Sequence, residues 1–343
     1  MKRELTAEAE LDALAEEWGA ADDKDNHRTS QPPKVLSVKD LLALNFPESK
    51  MLVENLLPGR GACLLVGPPK SGKTLVAVQA GISVASGTPF LDYYRILDPG
   101  PTLLVEQDDP AGDESVKTIL QRSSVSIEEI PFYLTPRLPF SFGPELIEWL
   151  EIQIRTLSLR LVILDSYTAL RSSRKSGVDI VKAEQMDLTL LDDLSKRTNS
   201  TMLIIHHASK GSAAMDWSDQ AAGTFAMSAA TEAQIHISRF KDLDGNAPER
   251  LVRVRGRHQG DLEAVLRFQK ESLNYEHVLE GGAAPLFPLV LQLQTTFAGQ
   301  AFGPKELSHS TGVSRATANR QIDRLYRANA LTKRGYGEYV VVT

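Results

Sequence analysis

Apolar residues follow two rhythms along this chain, and the place where one gives way to the other divides it. From Ser37 to about residue 233, short unbroken apolar runs alternate with stretches of helical spacing. "GACLLVG" (61–67), "PTLLVEQ" (101–107), "FYLTP" (132–136), "LRLVILDS" (159–166) and "STMLIIHHAS" (200–209) read as strands, the first of them buried on both faces. "SVKDLLALNF" (37–46) reads as a short capped helix. "TLVAVQAGISVASG" (74–87) reads as a longer one closing on Gly87, a residue suited to a C-cap. Strands alternating with helices predict an α/β fold, a mainly parallel sheet with helices on both faces. Beyond Ala233 the period drops to two. "QIHISRF" (234–240), the turn "DLDGN" (242–246), "RLVRVRGR" (250–257) and "AVLRFQ" (264–269) predict an antiparallel meander added to that sheet.

The two ends are different in kind. Leu5, Leu11, Leu14 and Trp18 form a partial helical stripe, and the polar run "ADDKDNHRTSQPP" (21–33) follows it as a linker. Near the other end, "EGGAAP" (280–285) reads as a second linker. After it, "LFPLVLQLQTTF", "PKELSHSTG" and "SRATANRQIDRLYRANA" read as three helices, the last capped by Ser314. "LTKRGYGEYVVV" reads as a two-stranded wing. The expected organisation is an N-terminal arm and linker (1–36), a sheet domain (37–279), a linker (280–287) and a small C-terminal domain (288–343).

Composition narrows the class. The 343 residues suit about two domains, 42% are hydrophobic, and no apolar run approaches the ~18 residues of a membrane span. The acidic N-terminus lacks the apolar core of a secretory signal, so a cytoplasmic protein without a membrane partner is expected. A lone cysteine, Cys63, excludes an intrachain disulfide and reads as core packing. The net charge of −6 is unevenly spread: residues 1–30 carry four Lys/Arg against nine Asp/Glu, whereas residues 300–343 carry seven against three. Such asymmetry points to one end that faces nucleic acid.

The chemistry gathers at strand ends. Gly67, Pro68, Pro69, Lys70, Ser71, Gly72, Lys73 and Thr74 fit G-x-x-x-x-G-K-[ST] between a strand and a helix. Glycines there let backbone N–H groups point at phosphate oxygens, the lysine reaches the same oxygens, and the threonine hydroxyl is placed for Mg²⁺. ATP and Mg²⁺ are therefore the expected ligands. Asp165, ending "LVILD", is the carboxylate expected in the magnesium shell with Thr74. Hydrolysis also needs a group to orient water, and "VEQDD" offers Glu106 first and Asp108 second; a solvated loop is the plainer reading of that stretch. His206 and His207 end another strand facing opposite ways. His207 is the one expected at the phosphates, and the pair is a poor metal site. Lys210 is a further phosphate candidate. Arg253, Arg255 and Arg257 share one strand face. They form either a solvated face or, through Arg255 or Arg257, an arginine finger reaching a neighbouring subunit's phosphate.

Taken together, the P-loop, the acidic strand end, "LVILDS", "HHASKG" with "DQAAGTFAMSAATEA", and the basic strand resemble the RecA-like ATPases, nearest to the plasmid RepA-type hexameric replicative helicases. The resemblance covers residues 38 to about 275. It implies a RecA-type core, ATP held between subunits of a ring, and loops that grip single-stranded DNA. It assigns Lys73 and Thr74 to the P-loop, Asp165 to the metal-binding aspartate and His207 to the sensor. It departs at Ala222, before Gly223, where RepA-type members carry an arginine, so the finger is displaced to Arg255 or Arg257, or absent. The last 55 residues or so resemble a winged helix-turn-helix, with Arg315, Thr317, Asn319 and Arg320 near the exposed start of the third helix. The expectation is a DNA-dependent ATPase and helicase of a plasmid, phage or mobile element. Its rivals are an ATP-switched DNA-binding protein that does not unwind and a recombination or repair filament ATPase.

Overall fold

The computed structural model describes residues 35, 37–43, 50–109, 111–123, 129–135, 137–171, 180–207, 227, 230–257 and 260–342. The N-terminal arm, Lys210 and Ala222 lie outside them. The chain divides into two units, Met1–Glu48 and Ser49–Thr343. In the first, helix α1 (Val38–Ala43) is capped by Ser37, whose Oγ accepts from the Asp40 N–H at 3.1 Å.

In the second unit the predicted runs become strands β3 (Gly61–Gly67), β4 (Thr102–Glu106), β5 (Phe132–Thr135), β6 (Leu161–Asp165) and β7 (Thr201–His207). A small hairpin, β1 (Met51–Val53) and β2 (Leu57–Pro58), precedes them. The meander supplies β8 (Ala233–Arg239), β9 (Glu249–Gly256), β10 (Leu262–Gln269) and β11 (Asn274–Glu280). Together they form one nine-stranded sheet in the order β11-β10-β9-β8-β3-β7-β6-β4-β5. The six strands from β8 to β5 are parallel, and β8 to β11 pair antiparallel, so the fold is α/β with a large, mostly parallel mixed sheet.

Continuous apolar runs are required because successive side chains go to opposite, equally covered faces. Cys63, Leu65, Ile163, Leu203 and Ile205 pack into one core with helix α2 (Lys73–Ser86) and Val116 of α3 (Gly112–Arg122). Their neighbours Ala62, Leu64, Val66, Leu164 and Ile204 enter a second core with α4 (Pro144–Leu157) and α6 (Ile180–Thr198). A four-residue turn of helix, α5 (Tyr167–Leu170), lies between α4 and α6.

The antiparallel strands are shared in the same way. Val252, Val254 and Leu266 face the α2 side, whereas Leu251 and Val265 face a third core built by the C-terminal segment. That segment forms α7 (Phe287–Phe297), α8 (Pro304–Thr311), α9 (Arg315–Arg327) and the hairpin β12 (Leu331–Gly335) and β13 (Glu338–Val341). Ser314 caps α9 by accepting from the Thr317 N–H at 3.2 Å, and Gly312, at φ 72°, ends α8 where a side chain would be strained. Ala283 and Ala284, inside the "EGGAAP" stretch, are fully buried in this third core.

Candidate active site

The carboxyl ends of β3, β4, β6 and β7 meet along one edge of the sheet, the edge where open α/β sheets bind ligands. Directly after β3 the chain turns through Lys70 at φ 59° and Gly72 at φ 100°. A left-handed residue on each side of Ser71 turns successive N–H groups toward a common point, a nest for an anion. Close packing explains the glycines: a Cβ on Gly72 would collide with Tyr275 Oη, and one on Gly67 with the Ile237 carbonyl. Helix α2 begins at Lys73 and adds its positive N-terminal end to the nest.

Lys73 is buried, and its Nζ donates to the carbonyls of Gly67 at 3.0 Å and Pro68 at 3.1 Å. Burial pulls its pKa down, against the opposing charges of Asp165 and Asp108. Thr74 Oγ1 donates to Asp165 Oδ2 at 2.6 Å, which unites the two residues expected at the metal. Burial, then the charge of Glu106 in register on the next strand, push the Asp165 carboxyl up to about 7, although the Thr74 hydroxyl opposes them.

Glu106 and Asp108 occupy different places. Glu106 is buried, with its pKa raised by burial, and its Oε1 accepts from the N–H groups of Asp108 at 2.8 Å and Asp109 at 3.0 Å. It therefore holds the turn that leads into α3. Gln107 points the other way and accepts from the Leu138 N–H at 3.1 Å. Asp108 is exposed in a cleft of about 370 Å³ lined also by Lys73, Thr74 and His207. Its Oδ2 lies 3.2 Å from His207 Nε2, and its Oδ1 accepts from Ser166 Oγ at 3.3 Å. His206 is turned edge-on to Tyr167, and burial lowers its pKa to about 4, so it stays neutral near pH 7.

These residues fit a nucleotide and Mg²⁺. Ser71 Oγ is buried beside the loop without a hydrogen-bond partner among the described residues. No group of three or more His, Cys, Asp or Glu that could hold a metal alone occurs among them. A hydroxyl and one carboxylate are the hard-oxygen set Mg²⁺ uses when phosphates and water complete its shell.

Other residues are not brought to the cleft. Arg255 pairs with Asp261 at 3.0 Å and Arg257 Nε donates to the Thr231 carbonyl at 3.2 Å. Both lie toward the far end of β9. Two arginines overlooked in the sequence do reach the loop: Arg239 Nη2 donates to the Lys70 carbonyl and Arg250 Nε to the Ser71 carbonyl, each at 3.2 Å. Arg250 leaves a trace in the sequence, for it shares the parity of Val252 and Val254 and so is the polar residue on an apolar face.

A P-loop nest, a Thr–Asp pair and an acid–histidine pair at the carboxyl edge of this sheet define a RecA-like P-loop ATPase. Residues 26–213 match the AAA_25 family model, described as AAA domain, and the chain belongs to that family. Among solved structures, the ATPase domain of a helicase is similar at 11% identity over 80% of this chain and 100% of that one, with a TM-score of 0.51. "Crystal structure of the RadB recombinase" aligns at 17% identity over 65% of this chain and 92% of that one, with a TM-score of 0.48. No curated protein sequence matches. No helix among the described residues is long and apolar enough to cross a membrane.

Proposed function

We propose that the protein is a ring-forming, hexameric and DNA-dependent ATPase of the RepA-like replicative helicase type, serving a plasmid, phage or other mobile element in the cytoplasm. The observation that carries this reading is the Asp108–His207 contact at the mouth of the P-loop cleft. Asp108 orients a water and accepts its proton as the water oxygen attacks the γ-phosphorus; the bond to the β–γ bridging oxygen breaks and ADP leaves with that oxygen. Lys73 and the N–H nest balance the charge that develops on the phosphate oxygens. Mg²⁺, when bound, would be held by Thr74 and Asp165 and would neutralise the phosphates. His207 senses the γ-phosphate through its bond to Asp108. Arg255 or Arg257, remote from the loop of their own chain, serve a neighbour's site in trans.

In the C-terminal segment, α9 has the place of a winged-helix recognition helix. Arg315, Asn319 and Arg320 are exposed and Thr317 is half-buried at its start, a set suited to phosphate and base edges of duplex DNA. The core would act on single strands.

One observation favours the second reading, ATP-switched DNA binding without unwinding. Adjacent residues of β9 reach both places: Arg250 touches the P-loop and Leu251 lies in the C-terminal core. A forked duplex carrying a fluorophore and quencher separates the two. Unwinding that needs ATP and is lost in Lys73→Ala is expected; DNA binding that responds to ATP without strand separation would leave the switch.

A further inference from the structure

The nest that turns N–H groups inward turns the carbonyls of Lys70 and Ser71 outward, where a bare loop would leave them to water. Here the antiparallel extension meets them. Arg239, at the end of β8, donates Nη2 to the Lys70 carbonyl at 3.2 Å; Arg250, at the start of β9, donates Nε to the Ser71 carbonyl at 3.2 Å. Tyr275 Oη of β11 approaches the same Ser71 carbonyl at 3.4 Å.

The remaining donors tie both guanidinium groups to the β8–β9 connection. Arg239 Nη1 donates to the Gly245 carbonyl at 2.6 Å, and Arg250 Nη1 to those of Ala247 and Glu249 at 2.7 Å each. Glu249, the nearest acid in sequence, is engaged elsewhere, with Arg267 at 3.1 Å. Among the described residues neither Arg239 nor Arg250 has a carboxylate within ion-pair distance.

Moreover, Arg239 and Arg250 are directly opposite each other in the β8–β9 ladder. Like charges at that spacing are destabilising, and Arg250 is also only 8% exposed. Two uncompensated cations facing each other immediately behind an anion nest are a stabilising arrangement only when an anion is near.

We propose that Arg250, assisted by Arg239, is a positioning residue of the phosphate site: it fixes the Ser71 peptide so that the nest stays open, and its charge draws the polyphosphate. It touches no reacting atom. This inference rests on the reading of the loop as an ATP site.

The test is equilibrium binding of ATP, ADP and AMP to the full chain, with steady-state hydrolysis and the melting temperature of the nucleotide-free protein. In Arg250→Gln the ATP Kd is expected to rise about tenfold, with a smaller loss for ADP and the smallest for AMP, while kcat changes by less than about threefold. Arg250→Lys, which keeps the charge and loses the planar fork, is expected to lie between Arg250→Gln and wild type. Arg239→Gln, at an exposed position that does not endanger folding, should show the same ordering at about threefold for ATP. Losses equal for ATP and AMP, or an ATP Kd within about twofold of wild type with only a lowered melting temperature, would overturn the proposal. If Arg250→Gln does not fold, an unchanged ATP Kd in Arg239→Gln overturns it equally. A wild-type chain that binds no ATP at all would overturn the nucleotide reading itself, which distinguishes the two failures.

Discussion

Lys73→Ala is expected to lower kcat/KM for ATP by about 10³-fold while the protein stays folded. The side chain is buried at the start of α2 and holds two P-loop carbonyls, so its ammonium is already gathered at the nest. Burial has lowered its pKa, which means that the fold gives up stability to keep this cation beside Asp165 and Asp108. Alanine removes that cost and favours the helix, so the melting temperature should change by only a few degrees. Phosphate release and a thermal melt on the same preparation check both halves. A loss below about tenfold would contradict the assignment of this cleft to hydrolysis.

The second large effect separates two acids that lie two residues apart. Asp108→Asn is expected to lower kcat by about 10²–10⁴-fold with the ATP KM held within a few fold, because only the group that orients and deprotonates water is lost. Glu106→Gln should act quite differently. Its amide oxygen still accepts from the N–H groups of Asp108 and Asp109, and its neutrality suits a site where burial already disfavours the carboxylate. Its kcat is expected within about tenfold of wild type. The opposite ranking in single-turnover hydrolysis would give the water to Glu106.

Much of this site is legible in the sequence because local rules place it. Buried parallel strands must be apolar on both faces, so β3, β4, β6 and β7 stand out, and the polar residues that end them fall along one edge of the sheet. Strand parity alone sends His207 and His206 apart, and Glu106 and Gln107 likewise. The choice between Glu106 and Asp108 is not a matter of parity. It turns on the loop after β4, where the Glu106 carboxylate folds back onto two N–H groups and leaves Asp108 in the cleft.

Long-range pairing explains what the sequence conceals. Strand β11 is hidden because a bulge between Val265 and Leu266 shifts its register against β10 and breaks the period-two pattern. Composition marks "EGGAAP" as a linker, yet small side chains are also what allow Ala283 and Ala284 to pack closely against the sheet. Arg239 and Arg250 become part of the phosphate site only once β8 pairs with β3 and β9 with β8, which brings their ends behind the P-loop.

The most direct test of the central claim is the steady-state rate of phosphate release from ATP with no DNA, with single-stranded DNA and with duplex, with Lys73→Ala as the blank. A DNA-dependent ring ATPase should be stimulated about tenfold or more by single strands and little by duplex alone. Slow turnover that is indifferent to single strands would contradict it.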